Sequence, residues 1–71
     1  MNYMKQKAIE QLNAALSYIE RLIKTGASKT AVDHNYYITC GRVWAYNEIG
    51  LLTFNESYAW LDKIAAASCP I

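Results

Sequence analysis

Few residues of this chain have side chains that could carry out chemistry, and their spacing does not favour a reactive site. The strong nitrogen and sulfur ligands for a metal are His34, Cys40 and Cys69, and no CxxC or HxxxH spacing joins them. His34 and Cys40 are six residues apart, which places them on different faces of a helix and disfavours a Cys–His nucleophile pair. The sequence therefore predicts a protein that is not an enzyme and that uses no metal or other cofactor.

The charged residues are also spread out rather than clustered. The six acidic residues occur singly, and the three glycines are too scattered to form a phosphate-binding loop. Residues 1–30 carry five basic and two acidic residues, a charge of +3, whereas residues 31–71 carry two basic and four acidic residues, a charge of −2. Such a chain lacks the dense positive field that nucleic-acid binding needs, although its surface can be dipolar.

Aromatic side chains are the feature that indicates binding. The chain has six Tyr, two Trp and one Phe, more than one small core readily absorbs. Tyr, Trp and Arg are the side chains enriched at the energetic centres of protein interfaces. The aromatic residues expected in the core are Tyr36, Trp44, Phe54 and Tyr58. The candidate partner-binding residues lie on helix faces that also carry charge, and they are Tyr18, Tyr37, Arg42, Tyr46, Glu48 and Trp60.

Length and composition exclude several classes of protein. With 54% hydrophobic and 18% charged residues, the chain is too apolar and too weakly charged to be disordered. At this length a single domain over residues 1–71 is expected, and its small core is marginal without a disulfide, a metal or a partner chain. No apolar run is long enough for a membrane span and no signal peptide is recognisable, so a cytoplasmic protein is expected. Cys40 and Cys69 are then expected as reduced thiols, with a disulfide as the alternative.

The hydrophobic periodicity predicts an all-α protein, a compact three-helix bundle. The helices are expected at about residues 4–25, 31–49 and 54–68. The first has an apolar seam with 3, 4, 3, 4 spacing, which consists of Ile9, Leu12, Leu16, Ile19 and Ile23. Residues 35–40 are rich in β-prone side chains but lack flanking turn signals, so a helix is preferred there. The short connections favour antiparallel neighbours.

Capping residues mark the predicted helix boundaries. Gly26 and Gly50 are expected to end the first and second helices. Residues 30–33 begin with Thr and end with Asp, which is the spacing of a capping box. Residues 53–56 begin with Thr and end with Glu, which is a complete capping box.

The second predicted helix has two opposed apolar faces. One face consists of Val32, Tyr36, Cys40, Val43 and Trp44, and the other of Ile38, Ala45 and Ile49 with Gly41 at its edge. Either the two other helices cover one face each, or they share one face and leave an apolar stripe for a partner. Gly41 and Ala45 permit a close helix crossing, which would explain a glycine inside a helix.

The third predicted helix is expected to turn one apolar stripe towards the core. This stripe consists of Phe54, Tyr58, Leu61 and Ala65. Trp60 would then point away from the core.

The main functional hypothesis is a small non-enzymatic module that binds a larger protein or protein complex and occludes its surface. Helical proteins of this size are often inhibitors or adaptors encoded by phages or plasmids, including anti-defence and anti-CRISPR proteins, and that setting is expected here. The first alternative is a homodimeric structural or regulatory protein. The second is a helix-turn-helix nucleic-acid reader. It is disfavoured because Tyr46 and Glu56 occupy positions where that pattern has a small and an apolar residue, and because the third helix is acidic.

Overall fold

The computed structural model describes residues 3–68, which form the predicted all-α three-helix bundle. Helix α1 spans Tyr3–Lys24, α2 spans Lys29–Glu48 and α3 spans Phe54–Ser68. Each helix packs against both of the others, and the bundle measures about 37 × 18 × 17 Å. The two connections are short, so neighbouring helices run antiparallel.

In both connections the second residue is a glycine in the left-handed conformation, in agreement with the prediction that Gly26 and Gly50 end the first two helices. Gly26 has a φ of 79° and Gly50 a φ of 82°, which an L side chain adopts only with strain. After α1, the backbone N–H of Ala27 donates to the Leu22 carbonyl over 2.9 Å. After α2, the backbone N–H of Leu51 donates to the Tyr46 carbonyl over 2.9 Å. These are the bonds of Schellman motifs, which satisfy the last carbonyl groups of each helix.

The capping box at α3 is confirmed, but the expected box at α2 is wrong. The Thr53 hydroxyl accepts from the Glu56 backbone N–H over 3.1 Å, and the Glu56 carboxylate accepts from the Thr53 N–H over 2.9 Å. The N-cap of α2 is Ser28, whose hydroxyl accepts from the Ala31 N–H over 3.2 Å. Thr30 therefore lies inside the helix, because a competent capping hydroxyl precedes it by two residues.

The core is small and draws on all three helices. Its buried hydrophobic side chains are Ala8, Leu12, Ile19, Val32, Val43, Leu52, Trp60 and Ile64. The other positions of the predicted α1 seam, Ile9, Leu16 and Ile23, are half-buried against it. Two buried hydroxyls, those of Thr39 and Ser57, donate to carbonyls of their own helices over 2.7 and 2.8 Å, so they are satisfied inside the core.

The core covers one face of α2 and leaves the other in solvent. The buried residues of α2 are Val32, Thr39 and Val43, so α1 and α3 share that face. The opposite face is exposed along its length at Ile38, Gly41, Ala45 and Ile49, which we call the outer stripe. A Cβ on Gly41 would meet no atom within 4 Å, so the expected close crossing at this glycine is absent from residues 3–68.

Helix α3 is rotated relative to the sequence prediction. Its buried residues are Ser57, Trp60 and Ile64, whereas Phe54 and Tyr58 are exposed. The two sets lie roughly a quarter turn apart on a helix. Ser57 is fully buried, and its short side chain allows α3 to approach its neighbours closely, while the indole of Trp60 fills the space beyond.

An ion pair fastens the start of α1 to the start of α3. The Lys5 ammonium donates to both Glu56 carboxylate oxygens, over 2.9 and 2.7 Å. The same carboxylate completes the α3 capping box, so one side chain satisfies a helix terminus and also joins two helices. These bonds hold the pKa of Glu56 below its usual range, with the Lys5 hydrogen bond as the largest cause and the Thr53 N–H next.

Candidate protein-binding surface

Large apolar side chains are exposed chiefly on α2 and α3. Four of them are aromatic: Tyr37 is 70% exposed, Trp44 38%, Phe54 65% and Tyr58 56%. We call these four residues the aromatic patch. Trp44 and Tyr58 make an edge-to-face contact between the two helices, with ring centroids 5.6 Å apart and an interplanar angle of 86°.

The helices hold the patch in a defined order. Tyr37 lies two turns before Trp44 on one strip of α2, and its ring makes an edge contact with Tyr36 at 5.2 Å. Phe54 lies one turn before Tyr58 on one strip of α3. The rings of the patch are therefore fixed on two packed helices rather than on a loop. Fully buried aromatic residues cover about 150–250 Å² each, so these exposures leave roughly 450 Å² of aromatic residue surface in water.

That area is about a tenth of the surface of the described residues. The total accessible surface of the described residues is 4914 Å². On ordinary monomers the largest apolar patch is about 300–600 Å², and patches of that size are often functional. A specific interface covers about 800 Å² on each partner, so the aromatic patch can supply the centre of one but needs a surrounding rim.

Carboxylates lie beside the patch. Glu48 is one turn after Trp44 on α2, and it lines a groove at the α2–α3 connection together with Phe54. Asp62 is one turn after Tyr58 on α3. Neither side chain forms an ion pair with any residue in the described part of the chain.

The basic side chains of α2 and α3 are turned elsewhere or already paired. Lys63 lies over the ring of Trp60, with Nζ 4.7 Å from the centroid, on another side of α3. Lys29 pairs with Asp33 at 2.6 Å. Arg42 is exposed on the far edge of the outer face of α2. The aromatic patch therefore has an acidic border.

The six predicted partner-binding residues do not form one surface. Tyr37 and Glu48 are exposed on the outer face of α2, and Arg42 is exposed at its opposite edge. Tyr18 is exposed on α1, on the side away from the core. The structure brings only Tyr37 and Glu48 together with the aromatic patch.

Two of the predicted residues are not on the open surface. Trp60 is only 9% exposed and belongs to the core, so its expected exposure is wrong. Tyr46 is half-buried and packs against the core. For Trp60 the cause is the rotation of α3. For Tyr46 it is its place beside the buried face of α2, three residues after Val43 and seven after Thr39.

The rotation of α3 also exposes residues that were expected inside. Trp44, Phe54 and Tyr58 were assigned to the core and instead form most of the aromatic patch. A signal was present in the sequence: Ser57 and Trp60 are spaced like a helical seam with Ile64, provided that a small polar residue is accepted as a close-packing position. The larger apolar side chains of the competing stripe obscure that signal.

Two observations concern reactive side chains among residues 3–68. No group of three His, Cys, Asp or Glu side chains there could hold a metal ion. Burial raises the pKa of the half-buried Cys40 thiol, and a hydrogen bond with Tyr36 only partly opposes this, so the thiolate is disfavoured. Cys69, the other half of the alternative disulfide, lies outside the described residues.

Two further surface features complete the description. A groove of about 470 Å³ between α1 and α3 is lined by both polar and apolar side chains, which include Asn13, Leu16, Ser17, Glu20 and Lys63. None of the helices described is long and apolar enough to cross a bilayer. No known family model, curated protein or solved structure matches the chain.

Proposed function

We propose that this chain is a cytoplasmic, non-enzymatic protein-binding module that acts by covering a surface of a larger protein. The observation that carries the proposal is the aromatic patch on α2 and α3, because Phe54, Tyr58 and Tyr37 are all more than half exposed. A chain this short gains stability from every apolar side chain that it buries. Aromatic side chains placed in solvent on two helices favour use at an interface.

The geometry of the patch also suits tight binding. Trp44 and Tyr58 hold each other in an edge-to-face contact across the two helices, so their rings lose little rotational freedom when a partner covers them. Aromatic rings give a large contact area with few rotatable bonds. The predicted role as an inhibitor or adaptor carried by a phage or plasmid is part of this proposal, and its basis is the small size of the chain.

Capture of the partner from a lysate of the source cell tests the proposal. The tagged wild-type chain would be compared with the double variant Phe54→Ser plus Tyr58→Ala, whose side chains are exposed and contribute little to the core. We expect the captured protein to fall by about tenfold or more, since truncating a central interface residue costs about 2 kcal/mol or more.

The matched control removes two exposed aromatic residues elsewhere. The variant Tyr3→Ala plus Tyr18→Ala changes α1 and leaves the aromatic patch intact. It should capture the partner like the wild type, provided that circular dichroism shows unchanged helix content in both variants. Equal capture by the wild type and the Phe54/Tyr58 variant would show that the aromatic patch is not the binding surface.

A homodimer that meets through α2 is the second candidate function. It is supported by the exposure of Ile38 and Ile49 on the outer stripe, with the open Gly41 between them. Such a contact would be self-complementary about a two-fold axis. Sedimentation at micromolar concentration tests it. A dimer that Ala45→Glu dissociates favours this candidate, whereas a monomer throughout removes it.

A further inference from the structure

The border of the aromatic patch restricts the chemistry of its partner. Glu48 and Asp62 flank the patch, and no basic residue among residues 3–68 neutralises either carboxylate. Of the basic residues on α2 and α3, Lys29 pairs with Asp33, Lys63 lies over the ring of Trp60, and Arg42 is on the far edge of the outer face of α2. A partner that covers the rings would bring its own rim against these two carboxylates, so that rim should carry positive charge.

The antiparallel packing of α2 and α3 sets the separation of Glu48 and Asp62 along the bundle axis. Trp44 lies four residues before the end of α2, and Tyr58 lies four residues after the start of α3, so their contact pairs corresponding levels of the two helices. Glu48 is one turn from this level in the direction of the connection, and Asp62 is one turn from it in the opposite direction. At about 1.5 Å per residue, the two positions are separated by roughly 12 Å along the bundle.

This separation corresponds to about two turns of a partner helix. Side chains seven or eight residues apart lie on one helix face at roughly 10–12 Å. Apolar side chains between them would lie over Trp44 and Tyr58, and Phe54 is level with Glu48. This is the mode in which an amphipathic helix places its apolar face in a hydrophobic groove. Cations at the two ends would also lie close to aromatic rings, which attract them.

We propose that the part of the aromatic patch formed by Trp44, Phe54 and Tyr58, with Glu48 and Asp62 one turn to either side of the Trp44–Tyr58 contact, binds an amphipathic helix of a partner protein that carries two Lys or Arg residues seven or eight positions apart. This inference rests on the proposed function, and it specifies the partner of the same surface. A second copy of the chain is a poorer match, since no two of the basic residues on its first helix, Lys5, Lys7, Arg21 and Lys24, are seven or eight positions apart.

The test uses synthetic amphipathic helical peptides and isothermal titration with the wild-type chain. The first peptide has a leucine face with two Lys residues seven apart at its edge. The second has Glu in place of both Lys residues, and the third has the Lys residues moved to the opposite face. We expect the first peptide to bind about tenfold or more tightly than the second and third, and to weaken as salt is raised, because it alone adds two attractive pairs at the surface.

Matched variants of the chain separate a local effect from an effect of net charge. The double variant Glu48→Gln plus Asp62→Asn should reduce the preference for the first peptide by about threefold for each carboxylate. The control Glu10→Gln plus Glu20→Gln removes the same total charge from α1 and should keep the preference.

Several results would overturn the inference. The three peptides could bind equally, or none of them could bind. The two double variants could lose the preference for the first peptide to the same extent. The chain could also associate with itself in a way that Tyr58→Ala abolishes. In each of these cases the proposed function still stands if the Phe54/Tyr58 variant loses its partner from the lysate. That proposal fails on its own if this variant captures the partner unchanged.

Discussion

Replacing Trp60 by alanine is expected to destabilise the fold far more than replacing Phe54. Trp60 is 9% exposed and belongs to the core, whereas Phe54 is 65% exposed on the first turn of α3. Truncating a buried Trp costs about 3–5 kcal/mol. Phe54 buries only about a third of its surface, roughly 70 Å², and its removal should cost about 1 kcal/mol.

These magnitudes are large compared with the stability of the domain. A chain of this length has a free energy of unfolding of roughly 4–10 kcal/mol, so Trp60→Ala should remove about half or more of it. Phe54→Ala should lower Tm by about 4–8 °C. Urea titration followed by far-ultraviolet circular dichroism measures the free energy of unfolding of both variants, and thermal melts followed by the same signal measure Tm. This signal does not depend on the tryptophan that is lost.

The assignment of Trp60 to the core would be refuted if Phe54→Ala destabilised the fold as much as, or more than, Trp60→Ala. Phe54 and Trp60 lie on different faces of α3, so their relative costs report which face is buried. If Phe54→Ala cost as much as Trp60→Ala, the face expected from the sequence would be the inner one. The aromatic patch would then be part of the core. Tyr3→Ala, at a residue that is 67% exposed, is the control for the loss of an exposed aromatic residue, and it should cost no more than Phe54→Ala.

Three further predictions concern helix ends and the open face of α2. Because its bond with Lys5 lowers the pKa of Glu56, the stability that this carboxylate contributes is complete above its usual range and is lost as pH falls through the folded-state pKa. Glu56→Gln should therefore flatten the acid side of the Tm profile. Ser28→Ala should cost about 1 kcal/mol in thermal melts, and Thr30→Ala clearly less, since only Ser28 caps α2. Gly41→Ala should stabilise the chain by up to about 1 kcal/mol, because the added methyl meets no neighbour.

Each of these predictions has a contrary outcome. An unchanged acid limb in Glu56→Gln would show that its carboxylate is not perturbed in solution. A larger loss for Thr30→Ala than for Ser28→Ala would restore the capping box expected from the sequence. A destabilised Gly41→Ala would indicate that another surface, such as a second copy, lies against that position.

Features fixed by a few adjacent residues could be predicted from the sequence. The turns at Gly26 and Gly50 and the Thr53–Glu56 capping box satisfy backbone groups through bonds between residues only a few positions apart. Their formation therefore does not depend on the rest of the fold. The N-cap of α2 was harder because Ser28 and Thr30 both offer a hydroxyl. Which of the two caps α2 depends on the residue at which the backbone leaves the connection and becomes helical.

The rotation of helices about their axes could not be predicted in the same way. The α3 residues Phe54 and Trp60 are both aromatic, and only packing against α1 and α2 decides which of them is buried. For the candidate site, Tyr37 and Glu48 are exposed as expected, since their places on α2 follow from the burial of Val32 and Val43. The sequence of α2 has two apolar faces, and periodicity alone does not determine which of them the core covers.

The Lys5–Glu56 ion pair has a consequence for the order in which the chain folds. It joins residues 51 positions apart, whereas the Schellman turns and the capping box form within single turns of the backbone. Contacts across either connection close a short loop, so the α1–α2 and α2–α3 pairs are expected to form before α1 meets α3. The ion pair then belongs to the final step. Lys5→Met should accelerate unfolding in stopped-flow experiments and leave the folding rate nearly unchanged.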